Sequence, residues 1–138
     1  MHAMIRRTVV ALAVMVSLAG SAAMAFAQDT LMAEIPFSFT LKGRMYQAGK
    51  YDLNVKSDDM VIELNGPAKN SGVAPVLTRL SAPDTQATEG RLVFDKTNNT
   101  YHLSEVWFPG QDGYLLSAMK GKHTHHTIRA HRGTKSHT

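Results

Sequence analysis

The stretch Arg91–Gly110, RLVFDKTNNTYHLSEVWFPG, decides the fold. Leu92-Val93-Phe94 sets a β-branched and an aromatic residue beside a leucine, which suits a pleated, half-buried surface. Thr97-Asn98-Asn99-Thr100 follows, and asparagine tolerates the left-handed backbone that tight hairpin turns require. Asn98-Asn99-Thr100 also fits a glycosylation sequon, but between two strands it reads as a turn. Tyr101 opens a second apolar run through Leu103, Val106, Trp107 and Phe108, and Pro109-Gly110 stops it. Tyr101, Leu103, Glu105 and Trp107 share one parity, while His102, Ser104, Val106 and Phe108 share the other, so neither face is cleanly apolar. Either Glu105 lies at a sheet edge or a bulge before Trp107 resets the register, and the apolar run Val106-Trp107-Phe108, which does not suit a fully wet face, favours the bulge. The stretch is expected to be the central hairpin of a small all-β domain, with most of its aromatic side chains in the core.

The residues before the hairpin repeat the pattern. In Glu34–Leu41, EIPFSFTL, Ile35, Phe37, Phe39 and Leu41 face one way, and Pro36 puts the strand at an edge or near a strand start. Met45-Tyr46 can form a short strand after the Lys42-Gly43-Arg44 turn. Tyr51, Leu53 and Val55 alternate with Asp52, Asn54 and Lys56; Met60, Ile62 and Leu64 share a face. Val73–Leu80 is a further strand, interrupted or edged by Pro75, between the turn-rich loops 65–72 and 81–90. Tyr114–Met119 is a last short strand or a helical turn. No segment has the length and period of a globular helix. The expectation is a small antiparallel β-sandwich or barrel of seven to eight short strands, most simply a meander.

The N-terminus reads as an export signal. Arg6-Arg7 precede an apolar run, Val9–Leu18, and small residues end in Ala25-Phe26-Ala27. That is the basic, apolar and A-x-A order of a secretory signal peptide. Cleavage is expected after Ala27, with Ala23-Met24-Ala25 as a second site; the alternative is an uncleaved anchor, against which the Ala/Gly/Ser-rich second half argues. The expected units are therefore 1–27 as signal peptide, 28–119 as one β domain and 120–138 as a basic, His-rich flexible tail. Sec export to the periplasm or medium follows, and the mature protein is not expected to be integral to the membrane.

The chain holds no cysteine, which removes a disulfide framework, thiol catalysis and thiolate metal sites. The formal charge of +4 hides an asymmetry. Between Gln28 and Met119 the acids outnumber the bases, whereas Lys120–Thr138 carries Lys120, Lys122, Arg129, Arg132 and Lys135 and no acid. A basic end of this kind marks an interaction segment rather than a second domain.

Ile35-Pro36-Phe37-Ser38-Phe39, Ala48-Gly49-Lys50-Tyr51, Gly90-Arg91-Leu92-Val93-Phe94, Tyr101-His102-Leu103 and Val106-Trp107 occur in that order. The order resembles a group of small exported β-proteins of soil bacteria whose motifs run IPFxF, PAGxY, KLVF and YFLxxVW. The resemblance covers most of Glu34–Leu116. It departs at Gln47, where the group has proline, and after Ser117, where the group has a charged tail and this chain has histidines. It implies fold and export and carries no activity.

The sharpest chemical signal is His123-Thr124-His125-His126, with His131 and His137 beyond it. Imidazole suits Zn, Cu(II) and Ni. His123, His125 and His126 are the expected ligands, as a loose site in a flexible segment. The same basic segment could hold an anionic envelope component or polysaccharide, without specific nucleic-acid binding, and its charge rises as imidazoles protonate near about pH 6.5. His102, Glu105 and Asp95 are the other group that could do acid–base work, although a lone strand histidine is more simply a surface residue. Asp58-Asp59 reads as a turn rather than a calcium loop. Ser104 lies in no G-x-S-x-G elbow, and no H-E-x-x-H, P-loop or G-x-G-x-x-G occurs. The expectation is a non-enzymatic exported β-domain with a binding or structural role. The alternatives are a periplasmic metal-binding protein and a small enzyme with an unrecognised site.

Overall fold

The hairpin forms across Asn98 and Asn99, both left-handed at φ 45° and 65°, with Thr97 opposite Thr100. This is the turn whose twist matches that of the flanking strands. The computed structural model describes residues 30–133 except Ser57, Asp59 and Pro83. The expected signal peptide, residues 134–138 and His137 among them, and Asp59 lie outside the described residues.

Eleven strands are described: β1 (Thr30–Ile35), β2 (Phe39–Leu41), β3 (Arg44–Tyr46), β4 (Gly49–Lys56), β5 (Val61–Asn65), β6 (Ser71–Pro75), β7 (Thr78–Leu80), β8 (Gly90–Thr97), β9 (Thr100–Trp107), β10 (Gly113–Leu115) and β11 (Thr124–Gly133). They form one curled, barrel-like sheet in the order β3-β2-β9-β8-β11-β1-β4-β5-β6, with β10 on β9 and β7 on β10. The all-β expectation holds, but seven to eight strands is too few. Pro36-Phe37-Ser38 splits the expected strand 34–41 in two, so β1 pairs with β11 and β4 while β2 pairs with β3 and β9. Several strands are only three residues long, too short to show a period. The sheet is not wholly antiparallel either, because β2 runs parallel to β9. Nor is it a simple meander, because the first strand joins the last.

That last strand is the main correction. The segment expected to be a flexible tail contains β11, which lies between β8 and β1. Thr124–Ala130 pair with β8 and His131–Gly133 with β1. Ile128 opposite Leu92 and Ala130 opposite Gly90 supply its inward face, and Ala130 is fully buried.

The core fills the curl. Leu31, Ile35, Phe39, Leu53, Ile62, Leu64, Leu92, Phe94, Leu103, Val106 and Leu116 are all fully buried. Each contributes roughly 1.5–3 kcal/mol by leaving water. Phe39 is the hub of the aromatic part, with ring centroids 5.2 Å from Tyr51, 5.3 Å from Tyr46 and 5.5 Å from Phe94. The end strands of the path meet through side chains rather than a ladder. Arg44 Nη1 donates to the Ser71 carbonyl at 2.8 Å, and the Tyr46 hydroxyl lies so close over Gly72 that a β-carbon there would collide with it.

The bulge falls where the parity conflict requires it. Val93 faces Glu105 and the next residue, Phe94, faces Leu103, which leaves Ser104 as the extra residue of β9. Leu103 and Val106 therefore both point inward, three residues apart. Ser104 also marks where β9 exchanges one neighbour for another. Tyr101 and His102 pair with β2, and Glu105–Trp107 pair with β10. The Ser104 carbonyl accepts from Leu116 N at 2.7 Å, and its hydroxyl donates to the Ser117 carbonyl at 2.7 Å. The reset turns Trp107 outward: it sits over Gly113, its Nε1 donates to Glu105 at 3.1 Å, and Arg91 lies 4.6 Å from its ring. It is buried, but outside the core cluster.

Tyr51 explains the 65–72 loop. Its hydroxyl donates to the Gln47 carbonyl at 2.5 Å, and Gly66 lies flat on its ring, where no side chain fits. A main-chain carbonyl makes this bond, so the glutamine at position 47 serves as well as proline would. Burial pushes the Tyr51 phenol above its ordinary value of 10.0; a hydrogen bond from Asn70 opposes this and Tyr46 adds to it. The folded state thus prefers the neutral phenol, and the unfolded chain loses the proton first. This contribution is present below about pH 10 and is lost as pH rises through the folded-state value. Urea midpoints measured from pH 8 to 11 are expected to fall more steeply for the parent than for Tyr51→Phe. Parallel curves would refute the assignment.

Candidate metal site

Alternation along β8 turns Phe94 into the core and Asp95 to the outer face. There Asp95 stands in register with His125 on β11 and His102 on β9. His102 in turn is in register with Thr40 on β2, and its Nδ1 lies 2.5 Å from the Thr40 hydroxyl. A polar row therefore crosses four adjacent strands.

Asp95 is the unusual member, since its side chain is only 2% exposed. Burying a carboxylate is costly unless it is paired or holds a metal. Its Oδ1 accepts a hydrogen bond from His125 Nδ1 at 2.8 Å and faces His123 Nε2 at 3.9 Å. The histidines reach it because positions two apart on an extended chain project to one side. Their rings lie edge to face, with centroids 5.0 Å apart.

The protons follow from the partners. A carbonyl can only accept, so His123 Nδ1 carries the proton in its 2.8 Å bond to the Gly121 carbonyl. In the neutral ring that leaves the His123 Nε2 lone pair toward Asp95. Fixing one ring nitrogen on a backbone carbonyl is how ligand histidines are oriented. Gly121 is left-handed at φ 94°, so this turn favours glycine.

Asp95, His123 and His125 offer one ligand atom each, all within 4.8 Å of one another. Ligands of a tetrahedral ion at bond lengths near 2.1 Å stand about 3.4 Å apart. Closing the site therefore takes side-chain movements of up to about 1.4 Å, and His125 must either pass its Nδ1 proton to Nε2 or offer the metal its other nitrogen. Two imidazoles and a carboxylate suit Zn, Cu(II) or Ni.

Of the three expected ligands, the structure brings His123 and His125 together and leaves His126 out. His126 projects to the other face, opposite Phe94, with its ring centroid 5.4 Å from Phe37 and 5.7 Å from Tyr101. The sequence reading missed Asp95 as their partner. The available signal was the H-x-H spacing, which shares a face only in an extended chain. His131 lies opposite Met32, away from the cluster.

Each residue of the candidate acid–base group has a side-chain partner outside that group. Asp95 is held by His125, His102 by Thr40 and Glu105 by Trp107. Of the tyrosines, Tyr46, Tyr51 and Tyr114 are buried, and Tyr101 is half-buried and stacked 3.7 Å from Phe37. Among the described residues no helix is long and apolar enough to cross a membrane. No family model, curated protein or solved structure significantly matches the chain.

Proposed function

We propose that this chain is an exported, non-enzymatic binding protein of the periplasm or extracellular space, and that its β-domain holds a divalent transition metal on Asp95, His123 and His125. The observation that carries the metal reading is the buried Asp95 carboxylate faced by two imidazoles, His125 on the adjacent strand and His123 just before it. Export rests on the order of residues 1–27 and on the resemblance to exported β-proteins. The binding role is supported by the separate partners of His102 and Glu105, which Thr40 and Trp107 hold, and by the Asp95–His125 pair lying with His123 as a group of possible metal ligands.

Calorimetric titration of Gln28–Thr138 with Ni, Cu(II) and Zn tests the site. One ion per chain is expected. His123→Ala with His125→Ala should weaken binding at least about 100-fold, because even outer-shell partners of a metal are worth 10- to 100-fold. His126→Ala with His131→Ala should leave affinity within about threefold, since neither is a ligand. Equal losses from the two pairs would mean loose binding by any exposed histidine and would sink the site.

A further inference from the structure

Beside the metal ligands lies an open groove of about 370 Å³, between the β8–β9 turn and the segment that enters β11. His123 lines it together with Lys96, Lys122 and the Asn98-Asn99 turn. None of the lining residues is a carboxylate, and Asp95 lies against the same histidine from outside the groove.

Two features of this arrangement select a ligand. Three protein ligands are one short of the four that a tetrahedral ion takes, and a position left open is filled by water or by a ligand from solution. Charge selects between them. A divalent ion on one carboxylate and two neutral imidazoles leaves a net positive site, and Lys96 and Lys122 extend that field into the groove. Lysine meets phosphate as a point charge, and the exposed backbone and amides of an Asn-Asn turn add hydrogen-bonding capacity. The shared residue, His123, makes the groove and the metal one site.

We propose that the protein takes its metal together with a phosphate-type oxyanion. One oxygen completes the metal coordination, Lys122 meets the remaining negative charge, and Lys96 adds its positive field from the Tyr101 side of β8. This rests on the metal reading above, and the two can fail separately. The anion has two sources with the same chemistry, a small soluble phosphate ester or a phosphorylated lipid headgroup.

The experiment is sequential calorimetry on Gln28–Thr138. Nickel is titrated first, alone; absence of binding at this step overturns the metal site, and the coupled site with it. Phenyl phosphate, a soluble monoester, is then titrated into apo and nickel-loaded protein. The expected result is at least about 10-fold tighter binding to the loaded form, within the usual range of coupling between sites. Lys96→Ala with Lys122→Ala should remove that gain while nickel affinity without phosphate stays unchanged. Lys122→Ala alone, at an exposed position, should remove part of it without touching the Lys96 contact with the Tyr101 ring. Equal phosphate affinity with and without nickel, or an unchanged gain in both lysine variants, would overturn the proposal. Vesicles of phosphatidylcholine with phosphatidic acid separate the sources. Nickel-dependent sedimentation with them assigns a headgroup, and phenyl phosphate binding without sedimentation assigns a soluble ester.

Discussion

A chain that ends at Met119 is expected not to fold. The residues it lacks look dispensable in composition, being basic, polar and rich in histidine. They include β11, however, and β11 is the strand that joins the two halves of the sheet. Without it β3-β2-β9-β8 and β1-β4-β5-β6 share no backbone ladder. One long edge, Gly90–Lys96, and the short edge Thr30–Met32 lose their partners on that side, and exposed strand edges recruit other chains. Leu31 and Leu92 lose cover at the same time. The measurement is an amide NMR spectrum with a urea titration of 28–119 beside 28–138. Collapsed dispersion and no cooperative transition are expected for the shorter chain. A cooperative unfolding curve for it would show that the remaining strands close without β11.

Replacing Phe39 by alanine is expected to cost roughly 3–5 kcal/mol, the usual range for removing a buried phenylalanine. Phe39 comes from one of the shortest strands, yet it is fully buried and its ring touches the ring planes of Tyr46, Tyr51 and Phe94. Those rings come from β3, β4 and β8, so the cavity would open between separate parts of the sheet, and no single neighbour can collapse into it. For a domain of this size the melting temperature should fall by about 15 °C or more. Phe39→Leu should recover much of the loss, because it keeps most of the volume. A fall of only a few degrees for the alanine variant would mean that the aromatic cluster is not the centre of the core.

The hairpin was readable because each of its parts has a local cause. Asn98 and Asn99 tolerate left-handed backbone and adopt it, and of the two solutions to the parity conflict between Leu103 and Val106, an edge position for Glu105 or a bulge, the structure takes the bulge, at Ser104. Other features have causes that local sequence does not display. Within β11 only Ile128 and Ala130 turn apolar side chains inward, and His126 on the same side is exposed, too weak a stripe to outweigh the charges; the strand exists because β8 and β1 supply partners on both sides. Trp107 looks like a core residue by size, but the same bulge that sends Val106 inward sends it out over Gly113. The candidate site was half visible for the same reason. Two histidines at H-x-H spacing are a sequence signal only once the segment is known to be extended. The buried acid that joins them comes from 30 positions earlier in the chain.

The pairing of Thr30 with Gly133 also bears on when the protein can fold. Contacts between distant parts of a chain close slowly, because their loop entropy must be met before they stabilise anything. Here the first and last described strands are neighbours, so a chain emerging N-terminus first holds an incomplete sheet until its final segment arrives. Partial hairpins such as β4–β5–β6 can form early, but the bridge between the halves cannot. Under the proposed export this order would be useful: a chain that cannot close its sheet before β11 has emerged would stay threadable through a translocation pore and commit to its fold only on the far side.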